Sequence, residues 1–148
     1  MEIADLALGW FWGPEKKFGQ VNGIIRTEVG YCGGNNSKTT YEEVCSGNTN
    51  HAEVVKLEFD PKIISYNEIL EYFFKIHDPT TLNMQGPDRG SQYRSEIFYL
   101  NESQKKIAEE IINLENKKLS GKVVTKLSLL KNYCPAEEYH QKYLEKKQ

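Results

Sequence analysis

Segments of period two and segments of helical period follow one another along the chain, and they predict most of its elements. Residues 3–9 are almost continuously apolar and predict a strand buried on both faces. Residues 14–20 predict a short helix that ends near Gly19 or Gly23. Residues 23–31 alternate: Ile25, Thr27, Val29 and Tyr31 share one face, and Arg26 and Glu28 lie on the other with Ile24. Residues 32–50, rich in Gly, Asn, Ser and Thr, predict a long loop with one helical turn at 41–44. Loops of that length inside a compact domain are usually functional. Residues 51–59 alternate again, with Val55, Leu57 and Phe59 on one face and Lys56 and Glu58 on the other with Val54.

Asp60-Pro61 ends that strand, and Ser65 with Glu68 is a capping box that opens a helix to about residue 77. Its core stripe is Ile69, Leu70, Phe73, Phe74 and His77, the histidine being expected to hydrogen-bond at the helix end. Residues 78–92 are aperiodic, with two prolines and two glycines, and predict a second long loop before a strand at 96–100. Asn101 or Ser103 caps the next helix, whose buried stripe is Ile107, Ala108, Ile111, Ile112 and Leu114 and which Gly121 stops. Residues 123–130 predict a strand with Val123, Thr125, Leu127 and Leu129 on one face, and Pro135 opens a terminal helix to about Glu145. Strands and helices alternate without a strict βα repeat. The expected fold is an α+β two-layer sandwich: a mixed or antiparallel sheet, helices mainly on one face, near the split βαβ arrangement, with residues 1–148 as one domain.

Composition narrows the classes without changing that picture. A chain of 148 residues can bury a real core, and 39% hydrophobic with 27% charged residues is ordinary for a globular protein. A net charge of −2 and a pI near 6.0 give no basic footprint for nucleic acid or anionic membrane. No apolar run approaches the roughly 20 residues that span a bilayer, and no signal segment is read at the N-terminus. Three cysteines, Cys32, Cys45 and Cys134, are an odd number without a disulfide spacing, which favours a reducing cytoplasm. With no C-x-x-C and no H-x-x-x-H, the cysteines and His51, His77 and His140 do not read as a zinc site.

Two features carry candidate chemistry. Gly9-Trp10-Phe11-Trp12-Gly13 is an aromatic block between the first strand and the first helix, a surface normally buried or used to hold a ligand. Residue 10 falls near the start of a helix that begins near Pro14, which fits the first helical position, and free N–H groups there favour negative charge and suit a thiolate; this chain has tryptophan at residue 10. The second feature is Glu53, which the period of its strand puts on the apolar face. It is either a strand-end carboxylate that reaches water or an arginine, or a desolvated acid with a raised pKa kept as a proton donor. If strands 23–31 and 51–59 pair antiparallel, Tyr31 meets Glu53 on that face, and two O–H donors converge in an apolar setting. Such a pair can bind and protonate a polar oxygen on an otherwise apolar substrate. Tyr93 after the second loop is a third donor, and the aromatic block an apolar wall.

These motifs together resemble the A-type peptide methionine sulfoxide reductases over nearly the whole chain. The resemblance rests on Gly9–Gly13 (family form G-C-F-W-G), on Thr27-Glu28-Val29-Gly30-Tyr31 with Gly33-Gly34, and on Tyr41-Glu42-Glu43-Val44-Cys45-Ser46-Gly47. It extends through His51-Ala52-Glu53, His77-Asp78-Pro79-Thr80-Thr81, Gln85-Gly86-Pro87-Asp88, Gln92-Tyr93-Arg94-Ser95 and Ala136-Glu137-Glu138-Tyr139-His140-Gln141. It implies an oxidoreductase for protein repair under oxidative stress, acting on the S epimer of methionine sulfoxide, free or in peptides. Phe11 and Trp12 would cradle the S-methyl group, Tyr31, Glu53 and Tyr93 would hold the oxygen with Glu53 as the acid, and Asp88 would orient the site. It further implies no cofactor, thioredoxin or another thiol as reductant, a monomer, and a cytoplasmic setting.

One position departs from the family. Its nucleophile is the cysteine that belongs at position 10, where this chain has Trp10, and indole cannot attack a sulfoxide. Three explanations stand. The natural residue is selenocysteine or cysteine, since UGA can be read as selenocysteine or tryptophan; the change is engineered or a sequence error; or the chain is a pseudoenzyme that binds oxidised methionine without reducing it. Among the remaining thiols Cys134 is the first choice for a resolving cysteine, Cys32 the second, and Cys45 reads as structural.

Overall fold

The structure, a computed structural model, describes residues 1–146. Five principal strands and one short one form a mixed sheet in the order β7-β6-β1-β3-β2-β8, with β1 (Glu2–Leu8), β2 (Ile24–Cys32), β3 (Ala52–Phe59), β6 (Ser95–Tyr99), β7 (Lys126–Leu129) and β8 (Cys134–Pro135). β3 lies antiparallel between β1 and β2, so β1 and β2 run parallel and are joined through α1 (Trp12–Gly19): this is the expected split βαβ unit. Among the described strands only β6 and β7 pair parallel. The other elements are α2 (Tyr41–Cys45), α3 (Tyr66–Lys75), a small hairpin of β4 (Met84–Gln85) and β5 (Asp88–Arg89), α4 (Glu102–Lys118) and α5 (Tyr143–Lys146).

The main core lies under the helices. Ala4, Leu6 and Leu8 of β1, Val55, Leu57 and Phe59 of β3, and Val29 and Tyr31 of β2 face Phe18 of α1, Ile69, Leu70 and Phe73 of α3, and Ala108 and Ile111 of α4. The opposite face carries a smaller cluster of Ala7, Cys32, Ala52, Val54 and Phe98, covered by Leu130 and Tyr133. Ser65 and Glu68 form the capping box, Asn101 rather than Ser103 caps α4, and His77 bonds the Phe73 carbonyl and the Ser95 hydroxyl. Among the described residues no helix is long and apolar enough to cross a membrane.

Four local expectations are corrected by tertiary partners. Ile25 is 50% exposed, because the ladder with β3 skips it: Ile24 faces Phe59 and Arg26 faces Glu58, leaving Ile25 as a bulge. Only Lys126–Leu129 of 123–130 is strand, since the amides of Val123 and Val124 go to Asn116 and Pro79 instead of the ladder; Leu129 is exposed, as is Leu114 on α4. The second long loop folds back on itself as the β4–β5 hairpin. The expected terminal helix from Pro135 is absent: Cys134–Pro135 joins the sheet edge, residues 138–140 form a 3₁₀ turn, and helix appears only at Tyr143–Lys146.

Asp5 is a buried acid that periodicity did not single out. It is 1% exposed, one of its oxygens has no partner, and burial lifts its pKa to about 7, with Lys56 working against the rise and Glu28 adding to it. The folded state therefore holds this proton between the ordinary carboxylate range and about 7, so stability falls as pH rises through that window. Asp5→Asn is expected to melt a few degrees above the parent at pH 8, with the gain shrinking toward pH 5. Thermal melts at the two pH values check this; an equal gain at both would show that the Asp5 charge is not the cost.

Candidate active site

Gly9 ends β1 with φ +98°, a region that favours glycine, and a Cβ there would lie 2.7 Å from the Gln85 side chain. The elbow so formed carries residue 10 out of the sheet and starts α1 at Trp12, two residues before Pro14, with Phe11 at the N-cap. The aromatic block splits into three environments. Phe11 is fully buried, tilted against Tyr31 at 5.8 Å and His140 at 5.2 Å. Trp12 stacks on Tyr143 at 3.4 Å and donates its indole N–H to His140 Nδ1 at 3.1 Å. Trp10 is half-buried, edge-on to Trp12 at 4.9 Å and Tyr41 at 5.9 Å, and parallel to Tyr93 at 6.3 Å.

The strand pairing that periodicity made conditional is present, and Tyr31 lies directly opposite Glu53. Glu53 is 0% exposed. Burial raises its pKa to about 8; the Phe11 amide, which donates to its Oε1 at 3.4 Å, pulls it down, and the Asp88 charge pushes it up. Its Oε2 is buried without a partner, as is the indole Nε1 of Trp10. Glu53 is closed to water and meets no arginine among the described residues, so of its two sequence readings the desolvated acid is the one the geometry has. Tyr93 ends a 3₁₀ turn, Ser91–Tyr93, and burial followed by the Glu53 charge raises its pKa to about 12. Asp88 sits on β5, half-buried and felt electrostatically by both Glu53 and Tyr93.

The two candidate resolving thiols separate by face. Cys32 belongs to the cluster on the far side of the sheet, its thiol 3.3 Å from the Lys131 carbonyl and pushed by burial to about 12. Cys134 is paired opposite Tyr31, which puts it on the site's face; it is half-buried, with its sulfur 3.7 Å from the Thr39 carbonyl. Cys45, at the end of α2, is exposed.

Several residues of the site carried no assigned role in the sequence. Tyr31 donates its hydroxyl not to Glu53 but to Glu137 Oε1 at 2.9 Å, and Glu137 Oε2 accepts the Tyr41 amide at 3.0 Å. His140 accepts from Trp12 at Nδ1, so Nε2 carries its proton, and burial holds its pKa down against the Glu137 charge. Their only signal was membership of the quoted C-terminal motif, because their partners are about a hundred positions away in the chain.

The strand–elbow–helix crossing thus brings the buried carboxyl of Glu53 and the phenols of Tyr31 and Tyr93 together beside an aromatic block. The chain belongs to the peptide methionine sulfoxide reductase family, whose model matches residues 2–148. It is 72% identical over 147 residues to the "Peptide methionine sulfoxide reductase MsrA" of Pelagibacter ubique, covering 99% of this chain and 100% of that one. Among solved structures, "Methionine sulfoxide reductase A of Corynebacterium diphtheriae" matches with a TM-score of 0.94 at 36% identity, covering 98% of this chain and 74% of that one. Mxr1 from Saccharomyces cerevisiae in reduced form matches with a TM-score of 0.94 at 40% identity, covering 98% and 84%; the same yeast protein in complex with Trx2 matches with 0.68 at 28% identity, covering 96% and 84%.

Proposed function

We propose that this chain, with a thiol or selenol at position 10, reduces the S epimer of methionine sulfoxide, free or in peptides and proteins, to methionine. The observation that carries the reading is Glu53: a fully buried acid, opposite Tyr31 and under the Phe11 amide, with a pKa raised to about 8. At neutral pH it keeps a proton to give. The nucleophile at position 10 attacks the sulfoxide sulfur, Glu53 transfers its proton to the oxygen, and the S–O bond breaks. The hydroxyl passes from the substrate sulfur to residue 10 as the bond just formed between residue 10 and that sulfur breaks. Methionine leaves with that bond's electron pair, and residue 10 is left as a sulfenic or selenenic acid. A second thiol displaces the hydroxyl as water, and the resulting bond is reduced by an external dithiol. The yeast relative solved with Trx2 makes a thioredoxin the natural candidate for that reductant, and Cys134 is the candidate resolving thiol. Phe11 and Trp12 wall the S-methyl group, Tyr93 donates to the oxygen, and Asp88 tunes Glu53. The Tyr31 hydroxyl, whose own proton is donated to Glu137, accepts from that oxygen once Glu53 has protonated it. The chemistry needs no cofactor, the unpaired cysteines fit a reducing cytoplasm, and the chain is taken to act as a monomer.

The decisive experiment is turnover of separate S and R sulfoxides by the chain with residue 10 as written and with cysteine there, alongside the codon and intact mass at that position. A UGG codon with tryptophan in the native protein would remove the selenocysteine explanation. A second reading, a pseudoenzyme that binds the sulfoxide without reducing it, is favoured by the two buried, unpartnered atoms Trp10 Nε1 and Glu53 Oε2, which suit an acceptor oxygen. Against it, the Trp10 ring already lies among Trp12, Tyr41 and Tyr93. Calorimetry of the chain as written with a sulfoxide-containing peptide is therefore expected to show no binding at millimolar concentration, and Trp10→Ala to restore it. Saturable binding with Trp10 in place would make the pseudoenzyme reading the better one.

A further inference from the structure

The Tyr31 hydroxyl is not free to meet a substrate unaided, because its single proton is given to Glu137. Glu137 reaches that hydroxyl through backbone pairing rather than by chance of rotamer. Gly30 pairs with Pro135 and Tyr31 with Cys134, so the segment bearing Glu137 leaves the sheet edge beside Tyr31 itself. Ala136 donates its amide to the Val29 carbonyl, and the Gln141 side chain bonds both the amide and the carbonyl of Val29, fixing the segment on each side of Glu137. The second oxygen of Glu137 takes the amide of Tyr41, whose ring lies 5.9 Å from that of Trp10. One carboxylate thus ties a phenol of the sheet to the helix that walls position 10.

We propose that Glu137 is a positioning residue for sulfoxide reduction, acting through Tyr31 by holding the phenol oxygen at the oxygen-binding end of the site. The proposal rests on the reading of Tyr31 given under the proposed function. Glu137 suits the role because it stays ionised: partial burial would lift its pKa, but the Tyr41 amide, its own amide and the Tyr31 hydroxyl outweigh that and hold it below the usual range. Tyr31 stays protonated for the converse reasons, burial first, then the hydrogen bond to Glu137 and the charges of Glu137 and Glu53, with Tyr139 also facing it. A glutamine at 137 has one acceptor oxygen where the carboxylate has two, so it cannot satisfy both the Tyr31 hydroxyl and the Tyr41 amide.

The test is a double-mutant cycle on S-sulfoxide turnover in the Trp10→Cys chain, together with ¹³Cζ-tyrosine resonances of the chain as written. Glu137→Gln is expected to lower kcat/KM on the order of tenfold with Tyr31 present, and to have no further effect once Tyr31→Phe has been made. Glu137→Asp, which keeps both acceptor oxygens on a shorter stem, is expected to fall between and serves if the glutamine variant fails to fold. Without substrate, the Cζ resonance lost in Tyr31→Phe should shift in Glu137→Gln, reporting the changed hydrogen bond at the phenol. An equal loss from Glu137→Gln whether or not Tyr31→Phe has been made would leave Glu137 merely structural and overturn the proposal, as would an unmoved Tyr31 resonance. A Trp10→Cys chain that folds but turns over no S sulfoxide would instead defeat the reading of the site, and the positioning role with it.

Discussion

Trp10→Cys is expected to give a protein that reduces the S epimer of methionine sulfoxide with dithiothreitol and leaves the R epimer untouched. The reasons are local. Residue 10 lies at the elbow after Gly9, two residues ahead of α1, where the amides of the first helical turn favour a thiolate over a thiol. Strand pairing and the Phe11–Glu53 hydrogen bond hold Glu53, Tyr31 and Phe11 together, and on the proposed reading of the site the substitution supplies the sulfur. It also opens space. Removing an indole that lies against Trp12, Tyr41 and Tyr93 should leave a recess with aromatic walls beside residue 10. Because Trp10 is only half-buried, the recess can take up water or substrate, and the loss of stability should stay below the several kcal/mol of a sealed core truncation. Dithiothreitol removes any need for a resolving cysteine, so the outcome does not depend on Cys134 or Cys32. A folded Trp10→Cys protein inert toward the S epimer would sink the assignment of the site.

Glu53→Gln in that active background should cost roughly 100-fold or more in rate, the scale of losing a general acid. Glutamine is close to isosteric and can still accept from the Phe11 amide, so binding should change much less than turnover. The pH profile makes the test specific. Glu53 is protonated up to about 8, so the parental rate should decline as pH rises through that value, and the decline should vanish in the glutamine variant. Stability should separate from activity in this variant. The folded-state pKa lies above the ordinary glutamate value of 4.5, so the native protein binds more protons than the unfolded chain between there and about 8 and loses stability as pH rises through that window. Glutamine removes the titrating group, and Glu53→Gln should therefore melt at or above the parent at pH 8 while turning over far more slowly. An unchanged rate across pH would assign the proton to another group.

Whatever depends on period and on caps was legible along the chain. Alternation in 51–59 assigned Glu53 to the apolar face, and alternation in 23–31 assigned Tyr31 to its own; antiparallel pairing then made them neighbours, and the register joins just those two residues. The Ser65–Glu68 box and the long helix before Gly121 are local in the same sense, since each is satisfied within a few residues of itself. Other features exist only through distant partners. Ile25 is displaced by a bulge that depends on the neighbouring strand, and Gly9, just before α1, packs so closely on the Gln85 side chain that no Cβ fits there. The C-terminal segment shows the reason most fully. Its polar spacing reads as a helix, yet Pro135 pairs with Gly30, Glu137 binds Tyr31 and Tyr41, His140 accepts from Trp12, and Gln141 bonds Val29. Those hydrogen bonds join residues about a hundred positions apart. A periodicity records which face of an element is apolar but carries no record of which distant donor will meet which acceptor, and in this protein that choice sets the Tyr31 hydroxyl on Glu137 instead of Glu53.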